Sequence, residues 1–194
     1  MLFKTSEIIE LANQLKENKI GLFPCDTVWG IIATLNVNNI QRCRALKGKD
    51  AHSPLVVLIP DTSWLDRLCQ PPTEAQLAIL QKKWPGPTTF VFDGKNDAYS
   101  LPSEDQSIGL RVPEFLPLNL LLDTLQMPLI STSANLTKQA TIMKASDLDS
   151  SLAAQLDFVY DKGNPLYQQA SAVIDLRKDK IKVLREGPSY EVFN

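Results

Sequence analysis

Histidine occurs once in this chain, at His52, and cysteine three times, at Cys25, Cys43 and Cys69, with no C-x-x-C pair. That is too few ligands at too wide a spacing for a zinc site. An odd, scattered set of thiols does not make a disulfide framework either. Long apolar runs are missing too: no stretch reaches the roughly 18 residues that a membrane-crossing helix needs. The N-terminal MLFKTSEIIELANQLKEN is amphipathic and charged, unlike the charged-then-apolar layout of an export signal. Free thiols without an export signal point to the cytoplasm. Excess charge is also absent, with 20 Lys and Arg against 22 Asp and Glu and a formal net charge of −2. The chain is therefore no bulk polycation, and nothing favours electrostatic binding to a membrane. Any contact with a nucleotide or nucleic acid relies on a local positive groove. G-x-G-x-x-G, the Walker loop, G-x-S-x-G and H-E-x-x-H do not occur, which removes support for the common nucleotide folds and hydrolase triads.

What is present is ordinary globular material. The 194 residues, 44% hydrophobic and 22% charged, fit one domain over 1–194. Ile8, Leu11, Ala12 and Leu15 share one face of a helix predicted over 6–18, with Ser6 as its N-cap. A second helix is predicted over 38–47, stopped by Gly48. A third starts at the capping box Thr73–Gln76 and runs to about Trp84. Further helices are expected over 117–125 and over 146–156, the latter capped by Ser146. Strands are expected at IGLFP (20–24), LVVLI (55–59), TTFVF (88–92), IGLRV (108–112) and PLIST (128–132), then at FVY, SAVIDL and KIKVLRE near the end. Helices and strands interleave without a strict βαβ rhythm, and the last strands follow one another. The pattern therefore predicts a mixed α/β sheet rather than a doubly wound parallel one.

Certain segments are unusual for pure architecture. Phe23-Pro-Cys-Asp-Thr-Val-Trp-Gly30 puts small polar groups where a strand meets a turn, either as a plain turn with Asp26 bonding local backbone or as part of a site. Lys47-Gly-Lys49 ends a helix, where lysines complement the macrodipole or grip a triphosphate. Trp84-Pro-Gly-Pro-Thr-Thr89 reads as a rigid turn into a strand. Arg111 interrupts an apolar strand, so it needs an anionic partner, which is an internal carboxylate or a substrate. Ile130-Ser-Thr-Ser-Ala-Asn135 gathers hydroxyls and an amide at a strand end, where open α/β sheets bind ligands and where N-caps also sit. Ser171 and Arg185 add one hydroxyl and one cation late in the chain.

Taken in this order, the segments resemble the YrdC-like family of L-threonylcarbamoyladenylate synthases. Its pattern is P-T-[DE]-T-V-[YF]-G, K-x-R with a downstream P-L, W-P-G-P-x-T, R-x-P, S-A-N-x-S-G, S-T-[VI]-x-[DN] and a late R-x-G, and it maps onto about residues 20–187. The resemblance implies an open twisted mixed sheet flanked by helices, with a concave cationic face. It implies conversion of ATP, L-threonine and bicarbonate into threonylcarbamoyl-AMP and pyrophosphate, with Mg2+ on the phosphates. A separate transferase complex then acts on adenosine 37 of tRNA. By the same resemblance Lys47, Lys49, Ser133, Asn135 and Arg185 face the nucleotide. Cys25, Arg111, Ser131, Thr132 and Ser171 face the threonine, and Lys47 and Arg111 are the catalytic cations. The chain departs from the pattern at Cys25, Lys49, Thr137-Lys138 and Ala172, and it has Tyr167-Gln-Gln-Ala170 where the family is rich in glycine. The competing readings are an RNA-binding module, an inactive paralogue, and an adenylate-forming enzyme for another amino acid.

Overall fold

The computed structural model describes residues 4–47, 55–95, 105–136, 139–178 and 180–188; Gly48, Lys49, His52, Thr137 and Lys138 lie outside them. The chain opens with helix α1 (Thr5–Lys16), the hairpin β1 (Gly21–Pro24) and β2 (Trp29–Thr34), helix α2 (Val37–Leu46) and strand β3 (Val56–Leu58). Then come α3 (Leu65–Leu68), α4 (Glu74–Lys83), β4 (Thr88–Asp93), β5 (Ser107–Arg111), α5 (Leu116–Leu125) and β6 (Leu129–Ser133). Helix α6 (Ser150–Ala153) and strands β7 (Phe158–Val159), β8 (Ala172–Asp175) and β9 (Lys182–Arg185) complete it.

Among the described residues all the strands join one nine-stranded sheet in the order β7-β1-β2-β6-β3-β5-β4-β8-β9. Pairing is mixed: β7 with β1, β3 with β5 and β4 with β8 run parallel, and the other neighbours run antiparallel. The predicted mixed α/β sheet is therefore present.

Successive side chains on a strand face opposite sides, and this alternation builds two cores. Trp29, Ile31, Ala33, Val57, Phe90, Phe92, Ile108, Leu110 and Ile130 join one cluster, packed against Ile40, Cys43 and Leu46 of α2 and Leu80 of α4. Phe23, Ile32, Leu58 and Leu129 face the other way. They meet Ile8, Leu11, Ala12 and Leu15 of α1 and Leu118, Leu121, Leu122 and Leu125 of α5. This second core covers β7, β1, β2, β6 and β3, and the same face of β5, β4, β8 and β9 contributes none of its residues.

The structure corrects the sequence reading at four places. Helix α1 starts at Thr5 with Lys4 in the N-cap position, so Ser6 lies inside the helix and does not cap it. WGIIAT (29–34) is a strand that was not predicted. It is buried along its whole length, so it shows none of the apolar–polar alternation that marks a half-exposed strand. The helix expected over 146–156 shrinks to α6, and its cap is Asp149 rather than Ser146. Asp149 Oδ1 accepts from Ser151 N at 2.8 Å and Leu152 N at 3.3 Å, while Ser146 sits in a separate turn. Helix α3, only four residues long, is too short to display a helical period. The capping box at Thr73 forms as predicted: Thr73 N donates to Gln76 Oε1 at 2.7 Å and Gln76 N donates to Thr73 Oγ1 at 3.3 Å.

Candidate active site

Strand register fixes which residues meet on the uncovered face. Ile32 pairs with Ser131, Ser131 with Val56, and Val56 with Gly109, so these four share one row on one face. Arg111 lies two positions beyond Gly109 and keeps that orientation, while Ile108 and Leu110 point into the opposite core. Farther along, Val173 on this face pairs with Thr89 and with Arg185. The polar side chains of β5, β4, β8 and β9 therefore converge where α1 and α5 give no cover. A cleft of about 300 Å³ opens there, at the lower end of small-molecule sites. Its lining includes Arg111, Ser131, Thr132, Ser133, Asn135, Ser171 and Arg185, all singled out from the sequence. Thr27, Val28, Val56, Thr141 and Ala170 line it too.

Glycine keeps the floor open. A Cβ on Gly30 would stand 2.8 Å from Cys25 Sγ and 3.0 Å from Ser131 Oγ. Cys25 itself lies one layer below the cleft, fully buried, with Sγ 3.9 Å from Ser131 Oγ. Loss of hydration in that position pushes its thiol up to about 12, against a smaller downward pull from Arg111. At neutral pH it is a neutral packing group and a weak donor.

Arg111 finds an internal carboxylate. Nη2 lies 2.9 Å from Oδ1 of Asp26, and the two side chains are 4% and 0% exposed. The contact is off hydrogen-bond geometry, and among the described residues both Asp26 oxygens and Arg111 Nε find no hydrogen-bond partner. The Asp26 carboxylate thus serves Arg111 and not the local backbone that the turn reading offered it. The backbone carbonyl of Asp26 has a separate task, accepting from Leu166 N at 2.9 Å and Tyr167 N at 3.1 Å. Those two amides belong to a strap, residues 160–171, that joins β7 at one end of the sheet to β8 near the other. The strap passes six intervening strands, about 34 Å at ~4.8 Å per strand. From Val159 to Ala172 an extended chain reaches only about 43–47 Å, so the strap has little slack. The Tyr167 hydroxyl donates to Glu114 Oε2 at 3.2 Å, and the strap delivers Ala170 and Ser171 to the cleft.

Ser171 is held firmly. Its carbonyl accepts from Arg185 Nε at 2.9 Å, its hydroxyl oxygen accepts from Arg185 Nη2 at 3.1 Å, and Thr89 Oγ1 stands 2.9 Å from it. Partial burial, and after it the nearby Arg111 cation, draw the Arg185 pKa down. The two arginines are thus electrostatic neighbours in one cleft, and among the described residues only Arg111 has a carboxylate partner. Gly187 belongs to the same arrangement: a Cβ there would lie 2.2 Å from the backbone nitrogen of Ala172.

Lys47 arrives from the opposite face, at the C-terminus of α2. Its Nζ donates to Ser133 O at 2.7 Å and to Asn135 Oδ1 at 2.8 Å, and it also meets Asn135 O. Ser133 Oγ closes the knot by donating to Asn135 Oδ1 at 2.6 Å. Lys47 is 4% exposed, so it stabilises the turn that carries Ser133 and Asn135 from below. Trp29 Nε1 donates to Met143 O at 3.1 Å and pins the following loop, which carries Thr141. Of the predicted site residues, Arg111, Ser131, Thr132, Ser133, Asn135, Ser171 and Arg185 share the cleft, Lys47 and Cys25 support it, and Lys49 is outside the described residues. Thr27 and Val28 were legible only as parts of the quoted turn, Val56 only as one residue of an apolar run, and Thr141 carried no signal.

The fold is an open mixed α/β sheet with a cleft lined by two arginines, several hydroxyls and an amide. The family model described as "Telomere recombination" (Sua5_yciO_yrdC) matches residues 13–187, and the chain belongs to that family. It is 29% identical over 185 residues to a Bacillus subtilis threonylcarbamoyl-AMP synthase, covering 93% of this chain and 53% of that protein. It is 26% identical over 178 residues to a putative threonylcarbamoyl-AMP synthase of Methanocaldococcus jannaschii, covering 91% and 84%. Among solved structures it superposes on P. abyssi Sua5 complexed with L-threonine with a TM-score of 0.88 at 24% identity, covering 95% of this chain and 55% of that one. E. coli YciO gives 0.86 at 23%, covering 95% and 91%. These structures share the fold, and the chain spans about half the length of the Bacillus subtilis and P. abyssi proteins.

Proposed function

We propose that this chain is an L-threonylcarbamoyladenylate synthase, acting in the cytoplasm as a single YrdC-like unit over residues 1–194. One observation carries the reading: Arg111 and Arg185 line one cleft together with Ser131, Ser133, Asn135 and Ser171, and among the described residues no carboxylate lines it. Every substrate carries at least one anionic group: the phosphates of ATP, bicarbonate itself and the threonine carboxylate. Threonine amine and bicarbonate condense to an N-carboxy anion with loss of water. An oxygen of that anion bonds to the α-phosphorus of ATP, the bond from phosphorus to the bridging oxygen breaks, and pyrophosphate leaves with the electron pair. No side-chain nucleophile is required. The protein has to hold anions together and offset the charge that builds up at phosphorus.

In this reading Ser133 and Asn135, shaped by Lys47, receive the nucleotide, and Arg185 neutralises it. Arg111 and Ser171 take the threonine and its carbamate, with Ser131 and Thr132 beside them. Cys25 shapes the floor beneath Ser131, and Lys49 adds positive charge toward the phosphates. The lining offers magnesium only neutral oxygens, and no three His, Cys, Asp or Glu side chains gather at a metal-binding spacing among the described residues. In this reading magnesium travels with the phosphates of ATP. The unstable product passes to a threonylcarbamoyl-transferase complex that modifies adenosine 37 of tRNA. Among the described residues no helix is long and apolar enough to cross a membrane.

The test is incubation of the purified protein with ATP, magnesium, bicarbonate, L-threonine and pyrophosphatase, read by mass spectrometry. Threonylcarbamoyl-AMP appearing only with all substrates present is the expected result. Product from serine but not threonine would transfer the reading to another amino acid. No product with any amino acid would overturn it.

A further inference from the structure

Thr89 belongs to the Trp84-Pro-Gly-Pro-Thr-Thr89 segment, which the sequence presents as architecture. The structure gives its hydroxyl a specific environment. Thr89 is 1% exposed, and among the described residues its Oγ1 has one hydrogen-bond partner, Ser171 Oγ at 2.9 Å. Ser171 Oγ already accepts from Arg185 Nη2 at 3.1 Å, and a guanidinium can only donate.

Two directions are open to the Thr89–Ser171 bond. If Ser171 donates, the Thr89 proton is buried with no acceptor, which a native interior avoids. If Thr89 donates, its proton is satisfied and Ser171 Oγ accepts twice, from Thr89 and from Arg185. Both Ser171 lone pairs are then used and its own proton has to point elsewhere. Ser171 lines the cleft, and the remaining direction is into it.

We infer that Thr89 is a positioning residue that polarises Ser171, so that the serine hydroxyl acts in the cleft as a donor and never as an acceptor. Arg185 and Ser171 then form a paired donor set for one anionic oxygen. The ligand group docked there is a carboxylate or a phosphate oxygen. This deepens the synthase reading and rests on it for the names of the ligands, but it needs only that an anion binds.

The experiment is isothermal titration of the full chain with L-threonine in one arm and inorganic pyrophosphate in the other, for wild type, Thr89→Val, Thr89→Ser, Ser171→Ala and the double variant T89V/S171A. Valine keeps the shape of threonine and removes the donor. T89V is expected to weaken one of the two ligands by roughly tenfold or more, the size of one hydrogen bond to an anion. The arm affected tells a carboxylate from a phosphate. T89S restores affinity, and T89V adds nothing in the S171A background, since the two residues act as one device. A fold defect would lower the bound stoichiometry and the melting temperature and leave the affinity of the competent fraction unchanged. The inference is overturned if T89V binds both ligands like wild type, if its effect persists in S171A, or if wild type binds neither probe. Wild type that binds but makes no threonylcarbamoyl-AMP would remove the synthase reading and leave this one standing.

Discussion

Arg111 and Asp26, 85 residues apart in sequence, form a 2.9 Å ion pair with side chains 4% and 0% exposed. A charge so deeply placed depends on its partner. Asp26→Ala is therefore expected to cost about 3–5 kcal/mol, because it leaves a buried guanidinium uncompensated. The double variant D26L/R111M removes both charges and is expected to recover most of that loss while making no product. Urea unfolding of the three proteins checks this. A double variant no more stable than D26A would mean that the pair is not the source of the cost.

Lys47 holds the turn that presents Ser133 and Asn135. Replacing it by methionine leaves Ser133 O, which accepts from Nζ at 2.7 Å, without that donor. A loss of about 1–3 kcal/mol follows for a buried group left unmatched. On the synthase reading, product formation from ATP is expected to fall by roughly 10²-fold as the donors proposed for the nucleotide lose their alignment. Lys47→Arg should not rescue it, since a planar fork does not fit the compact nest of oxygens around one ammonium. Melting curves and product yields for both variants decide the matter, and near-wild-type turnover in K47R would sink it.

Gly30 and Cys25 are coupled through space. Gly30→Ala brings a methyl within 2.8 Å of Cys25 Sγ, and overpacking of this kind costs about 1–3 kcal/mol. Cys25→Ala makes room, so C25A/G30A is expected to be more stable than G30A alone. Chemical denaturation of the four members of the cycle gives the coupling; purely additive effects would show that the two positions do not touch. Wild-type Cys25, Cys43 and Cys69 are buried, and loss of hydration pushes each thiol up to about 12. Maleimide should therefore label the native protein slowly at pH 8 and the urea-unfolded protein completely.

Acid should loosen the end of the sheet that carries β8. A Ser107 hydrogen bond, followed by the Arg177 guanidinium, holds the Asp105 carboxyl down at about 2, and Arg177 likewise lowers Asp175. A carboxylate whose folded pKa lies below its unfolded value stabilises the fold above the unfolded value, and the gain is lost as the pH falls through the folded one. The expected window for Asp105 therefore runs from about pH 4 down to about 2. Melting temperatures of wild type and Asp105→Asn across pH 2–6 provide the measurement. D105N should show the shallower fall, and parallel curves would exclude Asp105 as a contributor.

The central strands were legible because LVVLI, TTFVF and PLIST are apolar runs rich in β-branched residues and bounded by turn residues. WGIIAT is just as apolar, yet it follows Pro24-Cys-Asp-Thr27 so closely that the turn masked the return strand of the hairpin. For the site, sequence could state that Arg111 needed an anion, since a cation in an apolar strand is costly. It could not say that Asp26 supplies it, because that meeting depends on how the hairpin tip folds over the sheet. Thr89 was out of reach for a different reason. Its role follows from proton counting around Ser171, which requires the positions of three side chains.

The strap between β7 and β8 also sets a calendar for the cleft. Arg111 leaves the ribosome 60 residues before Ser171, an interval of roughly 3–12 s at ~5–20 residues per second. During that time the nascent chain gains Ser133 and Asn135, the partners of Lys47, but it has no Ser171, no Arg185 and no complete strap. On the synthase reading, the cleft therefore gains its full set of donors only once β8 and β9 have been made, and those strands act as the step that commissions it.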